Sequence, residues 1–251
     1  EFAAGFPAGY IDDFDARVAV RDVQTIIGLE QGPEIGMSFS RQIEDPENHL
    51  RFKLFQLDDI VTLSDVIPIL ENLGVRVIGE HPYPITRRDG RKIWIHDFQL
   101  EYVFADRVDL HYVKDSFPEA FRNIWLGRAD SDGFNRLILG THLSWREATI
   151  LRAYARYMKQ TGFPFSLEYI AQTLSSHLQI AEDLVALFHA HFDPRQNSDP
   201  DDSRERERIE TRVDEGLEAV ENLDEDRIIR RYVILIKNTL RTNYYQRDRA
   251  G

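Results

Sequence analysis

Apolar positions in the first hundred residues recur at helical spacing, then at every second position, then at helical spacing again. From Asp15 to Leu29 the apolar residues Ala19, Val20, Val23 and Ile27 keep to one stripe, and Gly32-Pro33 stops the helix they predict. Two strands follow: Ile35, Met37 and Phe39 share one face with Gly36, Ser38 and Ser40 opposite, and Leu50 to Leu57 sets Phe52 and Leu54 together beyond the turn at Asp45-Pro46. Thr62-Leu63-Ser64-Asp65 predicts a capping box, ahead of a helix with Val66, Ile67, Ile69, Leu70 and Leu73 on its apolar face and Gly74 at its end. Pro68 lacks a backbone donor, so the first turn of this helix should be short or bent. Val75 to Glu80 and Lys92 to Val103 are the last strands, the second alternating Phe98, Leu100 and Tyr102 against Asp97, Gln99 and Glu101.

Helix, strand, strand, helix, strand, strand is best buried as a four-stranded antiparallel sheet with two helices on one face, an α+β fold of ferredoxin-like character over residues 1–114. From about Asp115 strand signals cease, and residues 115–251 read as an all-α helical domain. Ser144 and Glu147 predict a capping box before Ala148, Leu151, Ala155 and Met158, and Gly162 and Pro164 end that helix. Ser166 caps the next, with Tyr169, Ile170, Thr173 and Leu174. Another carries Ile180, Leu184, Leu187 and Phe188. Residues 193–203, DPRQNSDPDDS, form a polar linker with two prolines, the expected site of disorder and of proteolysis. A charged helix with Ile209, Val213, Leu217 and Val220 follows. The last helix, from Asp224, is apolar over a wide arc of Ile228, Ile229, Tyr232, Val233, Leu235, Ile236 and Leu240, and is expected at the centre.

Composition narrows the function classes. A net charge of -12 opposes binding to nucleic acid, which draws affinity from clustered Lys and Arg. The basic run Arg87, Arg88, Arg91 and Lys92 surrounds Asp89-Gly90, a hairpin-turn signal, and a solvated turn explains it better than a phosphate site. With no cysteine there is no disulfide framework or thiolate metal site, and no apolar run reaches the roughly 20 residues of a membrane span. The expectation is a soluble, cytoplasmic chain without a membrane partner. Glu1-Phe2 reads as a cloning remnant, with natural sequence upstream.

Three stretches carry a resemblance. LSWREATILRAYARYMKQT (143–161), FPFSLEYIAQTL (163–174) and DEDRIIRRYVILIKNTLRTNYYQ (224–246) resemble the helical region before the catalytic domain of the large bacterial NAD-specific glutamate dehydrogenases, and LSDVIPILENLGVRVIGE (63–80) resembles the helix-turn-strand of an ACT-like domain. The resemblance implies a parent enzyme that converts L-glutamate, NAD and water to 2-oxoglutarate, ammonium and NADH. It places the start of the catalytic domain just after RTNYYQ. This segment would then be non-catalytic, with the catalytic domain of the same chain and further copies in a homo-oligomer as its partners. Its role would be assembly and positioning, or, alternatively, amino-acid sensing by an ACT module.

The residues agree that catalysis is absent. No glycines have the strand-to-helix spacing of a dinucleotide site, so no cofactor is expected in this chain, with NAD bound elsewhere in the parent. His189 and His191 lie two apart on a helix and point in different directions, so a metal site with Asp193 gives way to a half-buried His191. His96 shares the strand face of Phe98 and reads as a hydrogen-bonded core histidine. By the ACT resemblance, the loop from Leu57 to Leu63 is where an effector would sit, making Asp58, Asp59 and Thr62 the candidate site. DDIVTL, however, has no glycine to admit a ligand to backbone donors. Trp94, Trp125, Trp145 and Tyr244-Tyr245 read as core or interface.

Overall fold

Strands β1 (Ile35–Ser40), β2 (His49–Leu57), β3 (Val75–Thr86) and β4 (Lys92–Tyr102) form one antiparallel sheet in the order β1-β2-β4-β3. The computed structural model describes residues 5–29, 35–42, 45–104, 108–195 and 200–246, so Gly32-Pro33 and residues 196–199 of the expected linker lie outside the described residues. Two compact units divide at Leu139 and Gly140, not at the expected 114/115.

The reason is α4 (Leu110–Trp125), which belongs to the sheet. Asp109 caps it by accepting from the His111 amide at 3.0 Å. Its Phe117 stacks on Phe39 at 4.5 Å and meets Phe52 edge-on at 5.4 Å, while Phe121 lies 5.0 Å from Phe52. Helix α3 (Leu63–Asn72) packs against β3 and α4. The sequence of elements β1-β2-α3-β3-β4-α4 keeps the cyclic order of a ferredoxin-like unit, entered one strand later.

Helix α2 (Ala16–Leu29), expected beside α3, is instead on the opposite face together with α1 (Ala8–Asp13). There Tyr10, Phe14, Ile26 and Leu29 pack on Phe55, Tyr83, Ile85, Ile93 and Ile95. Gly36 is needed for this approach, since a Cβ there would lie 2.8 Å from Thr25 Cγ2. Both faces of the sheet are therefore covered.

Other local expectations are modified. Thr62 precedes α3 but makes no side-chain cap bond, so the capping box is not formed, and Pro68 lies inside the helix at an exposed position. Strand β3 runs on to Thr86 through Pro82 and Pro84 because it is an edge strand, where a missing N–H need not break a ladder. A bulge between Val77 and Gly79 leaves Ile78 half exposed.

In the second unit, α6 (Trp145–Gln160), α7 (Leu167–Ser176), α8 (Leu178–Phe192), α9 (Pro200–Glu218) and α10 (Leu223–Asn238) follow a 3-10 turn (Gly133–Arg136) and the short α5 (Leu137–Gly140). The capping box at Ser144 and Glu147 is complete, and Ser166 accepts from the Tyr169 amide at 3.0 Å. The second proline of the expected linker is the first residue of α9, as its fixed φ suits a helix start. Helix α10 packs on α6, α7 and α8 with Ile228, Ile229, Tyr232 and Ile236 fully buried. The Tyr232 hydroxyl donates to the Leu151 carbonyl at 3.0 Å. Leu235 is only half buried, and Leu240 lies beyond the helix and is exposed, so the apolar arc is narrower than expected.

Ile229→Ala should therefore destabilise the second unit by about 2 to 5 kcal/mol, and Leu235→Ala by less than about 2 kcal/mol. Urea unfolding of both variants checks this order. A larger loss at Leu235 would displace α10 from the centre.

Candidate functional site

The Leu57 to Leu63 loop joins β2 to α3, and its geometry is that of a turn closed on itself. Asp58 adopts a left-handed conformation, φ 64°, which aspartate tolerates better than most residues. Its amide donates to the Lys92 carbonyl at 2.9 Å and the Asp59 amide donates to Leu57 at 2.7 Å. Arg91 donates to the Asp58 carboxylate at 2.7 Å and holds it below the usual carboxylate range. The Thr62 carbonyl accepts from the amides of Asp65 and Val66. Asp58, Asp59 and Thr62 thus share a loop and are exposed, but the backbone donors of Asp58 and Asp59 face the protein and the first carboxylate is paired.

A polar cluster that periodicity concealed lies under α1 and α2. Lys53 and Asp97 are neighbours across β2 and β4 on the face that alternation marks as solvent-facing, yet both are buried. Lys53 donates to Asp22 of α2 at 2.5 Å, Tyr10 donates to the same carboxylate oxygen at 2.6 Å, and Arg51 pairs with Asp97 at 3.0 Å. The Lys53 ammonium also lies 3.5 Å from the centre of the Phe14 ring. Burial lowers the Lys53 pKa and pushes the Asp97 carboxyl up to about 6, against Arg51 and Lys53, which pull it down. With every charge facing an opposite one, this is a clamp for two helices and offers no open position to a ligand. On the other face His96 is buried, its Nδ1 2.6 Å from Glu80, as expected of a core histidine.

The second unit holds another cluster, around His189. Glu147 of the capping box accepts from the Ser144 amide at 2.8 Å and hydroxyl at 2.7 Å, and its other oxygen is 3.1 Å from His189 Nε2. Nδ1 of His189 bonds the Tyr245 hydroxyl, so the histidine ties α6 and α8 to the segment after α10. Burial pushes the Glu147 carboxyl up, but the bonds from His189 and Ser144 outweigh it and hold the group at about 2. His191 points elsewhere, 3.9 Å from Glu210, and among the described residues no group of three or more His, Cys, Asp or Glu is arranged to hold a metal. Tyr244 and Tyr245 pack on Phe188, as core aromatics do.

Among the described residues, the glycines with positive φ are Gly74, Gly90, Gly127 and Gly162. They follow helices or form the β3-β4 hairpin, and among the described residues none makes the strand-to-helix turn that brings backbone close to a pyrophosphate. The described residues do not fit a dinucleotide. Among the described residues, no helix is long and apolar enough to cross a membrane.

Four family models match in succession. Residues 1–29 match glutamate dehydrogenase helical motif 2, 34–113 the glutamate dehydrogenase ACT3 domain, 129–194 helical motif 3, and 212–251 the catalytic domain of bacterial NAD-glutamate dehydrogenase. The last match begins in α9, well before RTNYYQ, where the resemblance had set the boundary. Similar proteins include the NAD-specific glutamate dehydrogenases of Halomonas elongata (48% identical over 100% of this chain), Pseudomonas aeruginosa (43% over 100%) and Mycobacterium tuberculosis (32% over 97%). The chain spans only 15%, 16% and 15% of these relatives' lengths.

Two outcomes are expected. Calorimetric titration with the common amino acids should give no dissociation constant below about 1 mM, some 4 kcal/mol, at the Leu57 to Leu63 loop. Binding at that strength that Asp58→Ala abolishes would contradict the closed geometry. The depressed Glu147 pKa should stabilise the fold above the ordinary value of 4.5 and lose that contribution as pH falls toward about 2. Stability measured across that window should fall less steeply in Glu147→Gln, and an equal slope would deny the carboxylate this role.

Proposed function

We propose that this chain, which belongs to the large NAD-specific glutamate dehydrogenases, is the joint that fixes their catalytic domain to the helical and ACT-like modules before it. The observation that carries the reading is the position of α10. It lies within the residues matched to the catalytic domain, yet its buried face packs on α6, α7 and α8, which lie within helical motif 3. Tyr232 to Leu151 and Tyr245 to His189 are hydrogen bonds across the same seam. A catalytic domain that begins inside another module's core inherits its position from that core.

On this reading the whole protein carries out oxidative deamination of L-glutamate to 2-oxoglutarate and ammonium, with NAD accepting the hydride. Among the described residues no strand-to-helix nucleotide turn is found, and the contribution we assign to this chain is orientation, which positions reacting groups without touching them. The ACT-like unit serves here as a structural block, consistent with its self-closed loop.

The isolated chain should produce no NADH from glutamate and NAD above background. In the full-length enzyme, Leu151→Ala should lower turnover at least several-fold while leaving the glutamate KM within about twofold, as expected of a loss felt in positioning. Unchanged turnover in a variant whose helical unit is measurably less stable would overturn the reading.

A further inference from the structure

A cleft of about 850 Å³ opens on the second unit, and its two walls come from different modules. Trp145, Ile150 and Tyr157 of α6 form one side, within the match to helical motif 3. Leu235, Thr239 and Arg241 form the other, within the match to the catalytic domain. The volume would suit a small molecule. Several of the polar groups that would orient one are engaged within the chain, however. Arg146 donates to the Tyr244 carbonyl at 3.3 Å and covers its ring at 5.2 Å, and the Tyr154 and Thr239 hydroxyls bond at 3.0 Å. What remains open is largely apolar and aromatic surface, including half-exposed Tyr157 and partly exposed Leu235, beside exposed Asn243 and Gln246, with the Arg241 guanidinium exposed at the rim and unpaired among the described residues. Such a lining suits packed side chains with a carboxylate opposite the arginine.

We propose that this cleft seats a later segment of the same polypeptide, a part of the catalytic domain that presents apolar side chains to the α6 wall and an Asp or Glu to Arg241. The match to that domain occupies residues 212–251, and the relatives are more than six times the length of this chain, so enough sequence exists outside it to supply the segment. One wall is already catalytic-domain sequence, so the occupant would complete a core that the domain has begun. The inference rests on the joint proposed above, and goes further by giving the joint a second contact.

Photo-crosslinking in the full-length enzyme tests it. A benzophenone amino acid replaces Ala153, which is exposed and lines the cleft. Thr149, also exposed there, is the second position. The expected product joins residue 153 to a peptide beyond residue 251 within one subunit, established by mixing isotope-labelled and unlabelled subunits, and Arg241→Glu should cut its yield several-fold. Crosslinks to another subunit, to sequence before residue 1, or only within residues 140–251 would each overturn the proposal. This readout is contact, and turnover of the Leu151→Ala enzyme is not involved, so an empty cleft would leave the α10 joint standing, and a failed joint would appear as unchanged turnover.

Discussion

Helix α10 cannot leave its neighbours without exposing Ile228, Ile229, Tyr232 and Ile236, all fully buried in the second unit. At roughly 1.5 to 3 kcal/mol for each large apolar side chain, that face alone contributes on the order of 10 kcal/mol, comparable to the whole stability of an ordinary domain. The boundary between helical motif 3 and the catalytic domain is therefore a division of sequence that the folded core does not observe. The proposed joint rests on this packing. The segment after α10 strengthens it, because Tyr245 is held by His189, which faces the Glu147 carboxylate of the α6 capping box.

The ACT-like unit solves a different problem. A four-stranded sheet with helices on one face leaves the other to water or to a partner, and here α1 and α2 take that place. They are held by apolar packing and by Lys53, which enters between Phe14 and Tyr10 to reach Asp22. A buried ion pair contributes little net stability, because desolvation offsets attraction, but breaking it strands a charge. Displacing α1 and α2 would therefore strand the Lys53 ammonium away from Asp22. Those helices match helical motif 2, so in this unit too the modules meet through a shared core.

How much of this was legible in the sequence follows from the range of each signal. Periodicity located the strands and most helices, since burial of a face repeats along the chain, and Ser144, Glu147 and Ser166 capped where local chemistry said they would. The assignment of faces was not legible. Lys53 and Asp97 alternate with Phe52 and Phe98 as exposed residues would, and only the arrival of Asp22, Tyr10 and Arg51 from distant sequence makes their burial tolerable. The strand expected to end at Glu80 runs on through Pro82 and Pro84, since edge position is a property of the assembled sheet. Asp58, Asp59 and Thr62 lie in the loop that joins β2 to α3, and the pairing of Asp58 with Arg91 depends on the β3-β4 hairpin lying alongside it. Residues of the His189 cluster were each visible, but Glu147, His189 and Tyr245 are brought together only by packing of α6, α8 and the chain after α10.

Native-state hydrogen exchange in the full-length enzyme, followed as denaturant is raised, tests the shared core most directly, because it reports which amides open together. The account predicts that amides of Ile228 to Ile236 in α10 and of Ala148 to Ala155 in α6 merge into a single opening reaction with one free energy and one denaturant slope. If α10 instead opened with the remainder of the catalytic domain while α6 kept a separate, higher protection, the modules would be independent and the joint would not exist.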